Sequence, residues 1–106
     1  MTRKLLLTML FAASISTFSQ EIKIDKLGAS PNPFTNSTKI FFNAQTEQPA
    51  ILMVRNVLGK TIYREQLKIT KGKNTIQFKR NNLQAGMYIY AIQTNNEVVS
   101  KRFVIK

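Results

Sequence analysis

The sequence has 106 residues, with 16 Lys and Arg against five Asp and Glu, a net charge of +11, and neither His nor Cys. That length suits one domain. The missing His and Cys exclude zinc sites and nucleophile–base pairs of the usual kinds, while a lone Asp (Asp25) and scattered Glu offer neither a calcium cage nor a paired-carboxylate hydrolase. An enzyme is therefore not expected, and no catalytic, metal-binding or cofactor-binding residue is assigned.

The chain begins with basic Arg3 and Lys4, an apolar run over residues 5–15, and small residues around Thr17 and Ser19. These are the three parts of a secretory signal peptide, predicted over residues 1–19 with cleavage between Ser19 and Gln20. The other reading, a short buried or amphipathic helix, finds no helical periodicity past Ser19 to extend it. The apolar run is also too short for a membrane span, and nothing later in the chain offers one. Cleavage removes two cations and leaves 14 basic side chains against five acidic ones. An exported domain without disulfides must hold itself together by packing, which favours a regular sheet-on-sheet core.

Beyond the leader, Ile22 and Ile24 alternate with Lys23 and Asp25, predicting a short strand over residues 21–27. Ser30-Pro31-Asn32-Pro33-Phe34 fixes two φ angles and removes two backbone donors, so it must be a rigid turn or an edge crossing, with Phe34 free to plug the core. Further strands are expected over residues 38–43 and 50–56, then a turn at Val57-Leu58-Gly59-Lys60. The next strand, residues 61–69, has Ile62 out of phase with Tyr63, Leu67 and Ile69, which a bulge would reconcile. A turn at residues 70–73, a strand over residues 74–79 and a connection anchored by Leu83 lead to the final stretch.

Residues 86–106 scan as a hairpin, with β-branched and aromatic runs on either side of Asn95-Asn96. If those two residues form the loop, Thr94 faces Glu97, Ile92 faces Val99, Tyr90 faces Lys101 and Tyr88 faces Phe103. The opposite face, with Met87, Ile89, Ala91 and Val104 beside Ser100 and Arg102, is neither clean core nor clean solvent. Such a hairpin is either central in a sheet or presented to a partner. Seven short strands with regular turn signals and no helix predict an all-β sandwich.

The positive charge would suit nucleic acid, anionic polysaccharide or lipopolysaccharide, or an acidic protein surface. Its even spread along the chain fits solvated strand faces and edges better. Tyr88, Tyr90 and Phe103 beside Lys101 and Arg102 could stack bases, yet their alternation is explained by a hairpin core, and no nucleic-acid partner is expected. Asn36-Ser37-Thr38 matches a glycosylation acceptor pattern that arises easily by chance.

Five segments in order, Pro31-Asn32-Pro33-Phe34, Val57-Leu58-Gly59-Lys60, Lys71-Gly72-Lys73-Asn74-Thr75, Leu83-Gln84-Ala85-Gly86-Met87-Tyr88 and the terminal run, resemble the type A C-terminal sorting domain of the type IX secretion system of Bacteroidetes. The resemblance implies a seven-stranded immunoglobulin-like β-sandwich over residues 30–106, preceded by a short segment at residues 20–29 that carries the first strand. It also implies export through the inner membrane to the periplasm, recognition by the outer-membrane translocon, and secretion or cell-surface attachment, with anionic lipopolysaccharide as a further partner. On this basis the recognition residues are Gly86, Tyr88, Lys101, Arg102, Phe103, Val104, Ile105 and Lys106, and Pro31, Asn32 and Pro33 mark the domain start.

Two departures stand out. Only about ten residues precede the domain where the family usually carries a large cargo, and Ile51 and Met53 are apolar where the family tends to be polar. A small exported binding or adhesion domain for an anionic glycan or a protein is the alternative. Removing residues 102–106 is expected to block export with the fold largely kept.

Overall fold

Alternating apolar and polar residues dictate the architecture, because successive side chains of a strand point to opposite faces of its sheet. The computed structural model describes residues 23–106. The signal-peptide expectation and the Ser19–Gln20 cleavage point lie outside the described residues. Seven strands follow in order: β1 (Ile24–Ser30), β2 (Ser37–Ala44), β3 (Gln48–Arg55), β4 (Thr61–Ile69), β5 (Gly72–Lys79), β6 (Gly86–Gln93) and β7 (Val98–Ile105). They form two antiparallel sheets, ordered β1-β2-β5 and β4-β3-β6-β7.

One core lies between the sheets. Ile40, Phe42 and Phe78 from the smaller sheet meet Leu52, Val54, Tyr90, Ile92 and Phe103 from the larger one. Tyr90 and Phe103 stack with ring centroids 4.9 Å apart, and Phe34 meets Phe103 edge-on at 5.1 Å. Side chains of this size each contribute about 1.5–3 kcal/mol on burial. Tyr88, Tyr90 and Phe103 are thus core residues, unavailable to stack on bases.

The final hairpin has the predicted register, with Tyr88 opposite Phe103, Tyr90 opposite Lys101 and Ile92 opposite Val99. The Thr94 N–H donates to the Glu97 carbonyl across the turn. The β4 irregularity is a bulge: pairing shifts between Val54 and Arg55, and both Ile62 and Tyr63 pack toward the core.

The first strand differs from expectation, for it continues through Gly28 and Ala29 to Ser30 rather than ending at residue 27. A bulge between Asp25 and Gly28, with Lys26 at φ 58°, changes which residues pair with β2. Phe41, half-buried opposite Gly28, explains the glycine: a Cβ there would stand 2.8 Å from its ring.

Candidate functional site

The two prolines around Asn32 bar residues 31–35 from ordinary strand pairing, and this segment crosses from the smaller sheet to the free edge of β7. Both X–Pro bonds, Ser30–Pro31 and Asn32–Pro33, are cis. A primary amide offers the same donor and acceptor as a peptide group, and Asn32 uses it that way. Its Oδ1 accepts from the Val104 N–H at 2.9 Å, and its Nδ2 donates to the Arg102 carbonyl at 3.3 Å. One step on, the Phe34 N–H donates to the Val104 carbonyl at 3.0 Å and the Phe34 carbonyl accepts from the Lys106 N–H at 2.8 Å. A short parallel bridge, Phe34 to Ile105, results. The strap is itself anchored to β2 by the buried Thr38 hydroxyl, which donates to the Pro31 carbonyl at 2.7 Å.

Arg80 ties the remaining pieces. Its guanidinium donates to the main-chain oxygen of Lys106 at 2.6 Å, to the Thr35 carbonyl at 3.1 Å and to the Leu83 carbonyl at 2.9 Å. One planar group thereby holds the strap, the β5–β6 connection and the end of β7 together, a fork geometry that Lys could not reproduce. On that connection the Tyr88 hydroxyl donates back to the Gln84 carbonyl at 2.7 Å. Gly86, at φ +148°, then opens β6 in a conformation that a side chain would strain.

Three of the five sequence segments therefore converge at one end of the sandwich: Pro31-Asn32-Pro33-Phe34, the stretch from Leu83 to Tyr88, and the terminal run. A fourth lies at the same end, since Arg55, where β3 stops, pairs with Ile89 of β6. There the Asn56 Oδ1 accepts from the N–H groups of Leu58 and Lys60, both at 3.0 Å, holding a turn that leaves Leu58 88 % exposed. The segment beginning at Lys71 sits at the opposite end, where Gly72 pairs with Ala44.

The predicted recognition residues divide by burial. Gly86, Lys101, Arg102, Val104 and Lys106 are exposed, whereas Tyr88, Phe103 and Ile105 face the core. That overturns the expectation that residues 102–106 can be removed with the fold kept. Phe103 and Ile105 fill the interior, and the strap loses its bonding partners without Arg102, Val104 and Lys106. Arg80 escaped the sequence reading altogether, because its role depends on main-chain oxygens remote from it in the chain. Among the described residues, no group of three or more His, Cys, Asp and Glu could hold a metal ion, and no helix is long and apolar enough to cross a membrane.

Comparison with known proteins gives one family match. The model of the secretion system C-terminal sorting domain matches residues 29–106. No curated protein matches the chain. A solved structure similar to the chain is that of a β-glucosidase from Listeria innocua in complex with glucose, at 10 % identity and a TM-score of 0.42, covering 77 % of this chain. The chain spans 16 % of that enzyme's length.

Proposed function

Because the chain belongs to the family of type IX secretion C-terminal sorting domains, we propose that the translocon reads the strapped end of its folded sandwich. The domain is a sorting signal for type IX secretion and not a catalytic unit, and secretion or cell-surface attachment follows from it. Passage through the periplasm before outer-membrane export belongs to the same reading. So does an immunoglobulin-like assignment of the sandwich. The strand order in two sheets supports it, as does the Tyr88–Gln84 hydrogen bond at the start of β6, which matches the tyrosine corner of such folds.

The observation that carries the proposal is the stitching of Pro31-Asn32-Pro33-Phe34 to the end of β7 by Asn32, Phe34 and Arg80. With the outer main-chain groups of Arg102, Val104 and Lys106 engaged, strand addition along that stretch is blocked. A reader of the folded domain meets side chains instead: Arg102, Val104 and Lys106 outward, with exposed Val57 and Leu58 on the neighbouring turn. Tyr88, Phe103 and Ile105 act from inside by holding that surface in shape.

The test leaves the core residues in place. The variant Arg102→Glu/Val104→Ser/Lys106→Glu is expected to fold with a melting temperature near that of the parent and to accumulate in the periplasm of a host with the type IX system. Normal surface delivery of that folded variant would contradict the proposal.

A further inference from the structure

The larger sheet is apolar on its outward side as well as its inward side. Met53 and Ala91 pair across the two central strands, yet they lie outside the core cluster, and they are only 4 % and 3 % exposed. Arginines cover them: Arg55 and Arg64 each bring a guanidinium nitrogen to 3.8 Å from the Met53 Sδ, laying their stems across the sheet. Half-buried Ile51 and Ile89 continue the strip, and Met87 and Val104, paired across β6 and β7, extend it with 42 % and 39 % of their surface open. A contiguous apolar face with a polar border marks an interaction site.

Charge selects the occupant. Arg55, Arg64 and Arg102 border the strip, and among the described residues no carboxylate shares this face. Asp25 lies in the smaller sheet, Glu65 pairs with Leu52 on the inward side, and Glu97 accepts from the amides of Lys23 and Ile24 where β1 begins. Glu47 sits in the β2–β3 loop. A second copy placed face to face would set arginine against arginine with nothing to neutralise it. A bilayer surface is disfavoured differently, since the face carries none of the Trp or Tyr side chains that anchor proteins at the headgroup level.

We infer that the outward face of the four-stranded sheet docks a folded protein domain presenting an apolar strip flanked by carboxylates. This rests on the sorting reading only in taking that domain to be part of the type IX machinery. The contact adjoins the strapped end and shares Arg102 and Val104 with it: one surface is the flat sheet face centred on Met53 and Ala91, the other the end of β7.

Photo-crosslinking in cells tests it. A crosslinking residue is placed at exposed Ser100 or Gln66, both on the outward face, or at exposed Lys39 or Gln77 on the other sheet. Adducts with an identified component of the machinery are expected from the first pair of sites and not the second. Arg55→Glu/Arg64→Glu should lower their yield about tenfold or more, while Arg55→Lys/Arg64→Lys, which keeps the charge, should retain most of it. Equal adducts from both sheets, adducts with a second copy or with lipid, or unchanged adducts in a host lacking the system would overturn the inference. Export without any outward-face adduct overturns this docking face alone. Export that does not need the system overturns the sorting reading instead.

Discussion

Tyr63 shows how a single side chain is tuned by its position. Its hydroxyl donates to the Glu65 carboxylate at 2.8 Å and its ring packs edge-on against Phe78 at 5.2 Å. That hydrogen bond, then burial and the carboxylate's charge, raise its pKa above the ordinary 10.0. Burial raises Tyr90 as well. A raised tyrosine pKa means that the folded state keeps its proton longer than the unfolded chain. The stabilisation is therefore complete below about pH 10 and is lost as the pH climbs through the folded-state value. Denaturant titrations across that range should show stability falling above pH 10, less steeply in Tyr63→Phe. An identical slope in that variant would mean that the Glu65 contact does nothing for stability.

At the scale of elements, the strap and β7 depend on each other. Asn32 supplies two hydrogen bonds to a strand edge that would otherwise stand open, each worth roughly 0.5–1.5 kcal/mol net. Asn32→Ala is expected to lower unfolding free energy by about 1–3 kcal/mol in urea, and amide exchange at Val104 should rise in the same variant. Parent-like stability and protection would show that the strap does not hold β7. The hairpin was legible in the sequence because period-two alternation and Asn95-Asn96 together admit one register. The strap's role as a cover was not, since Asn32 and Val104 are 72 positions apart and no local pattern links a side-chain amide to a distant main chain. The reach of β1 to Ser30 was hidden for another reason: it needs Lys26 in a left-handed conformation that composition does not announce.

Over the whole molecule, the charge that first suggested nucleic acid is better understood by where it falls. Lysines dot the exposed strand edges and turns, while Arg80 locks the strapped end and Arg55, Arg64 and Arg102 border the outward sheet face. The sorting domain thus has two adjoining surfaces that meet at Arg102 and Val104, one made by convergence of sequence segments and one by leaving a sheet face apolar. Both were partly visible beforehand, as the terminal run and as the anomalous Ile51 and Met53. That they meet along β7 required the fold.

The central claim is that this chain is carried outward by the type IX system. The most direct measurement is cell fractionation with intact-mass spectrometry on the full chain, detected by an antibody against the folded domain, in a host with the system and in the same host without it. Release or surface display only where the system is present is the predicted result. Retention in the periplasm of both hosts, or export from both, would contradict it.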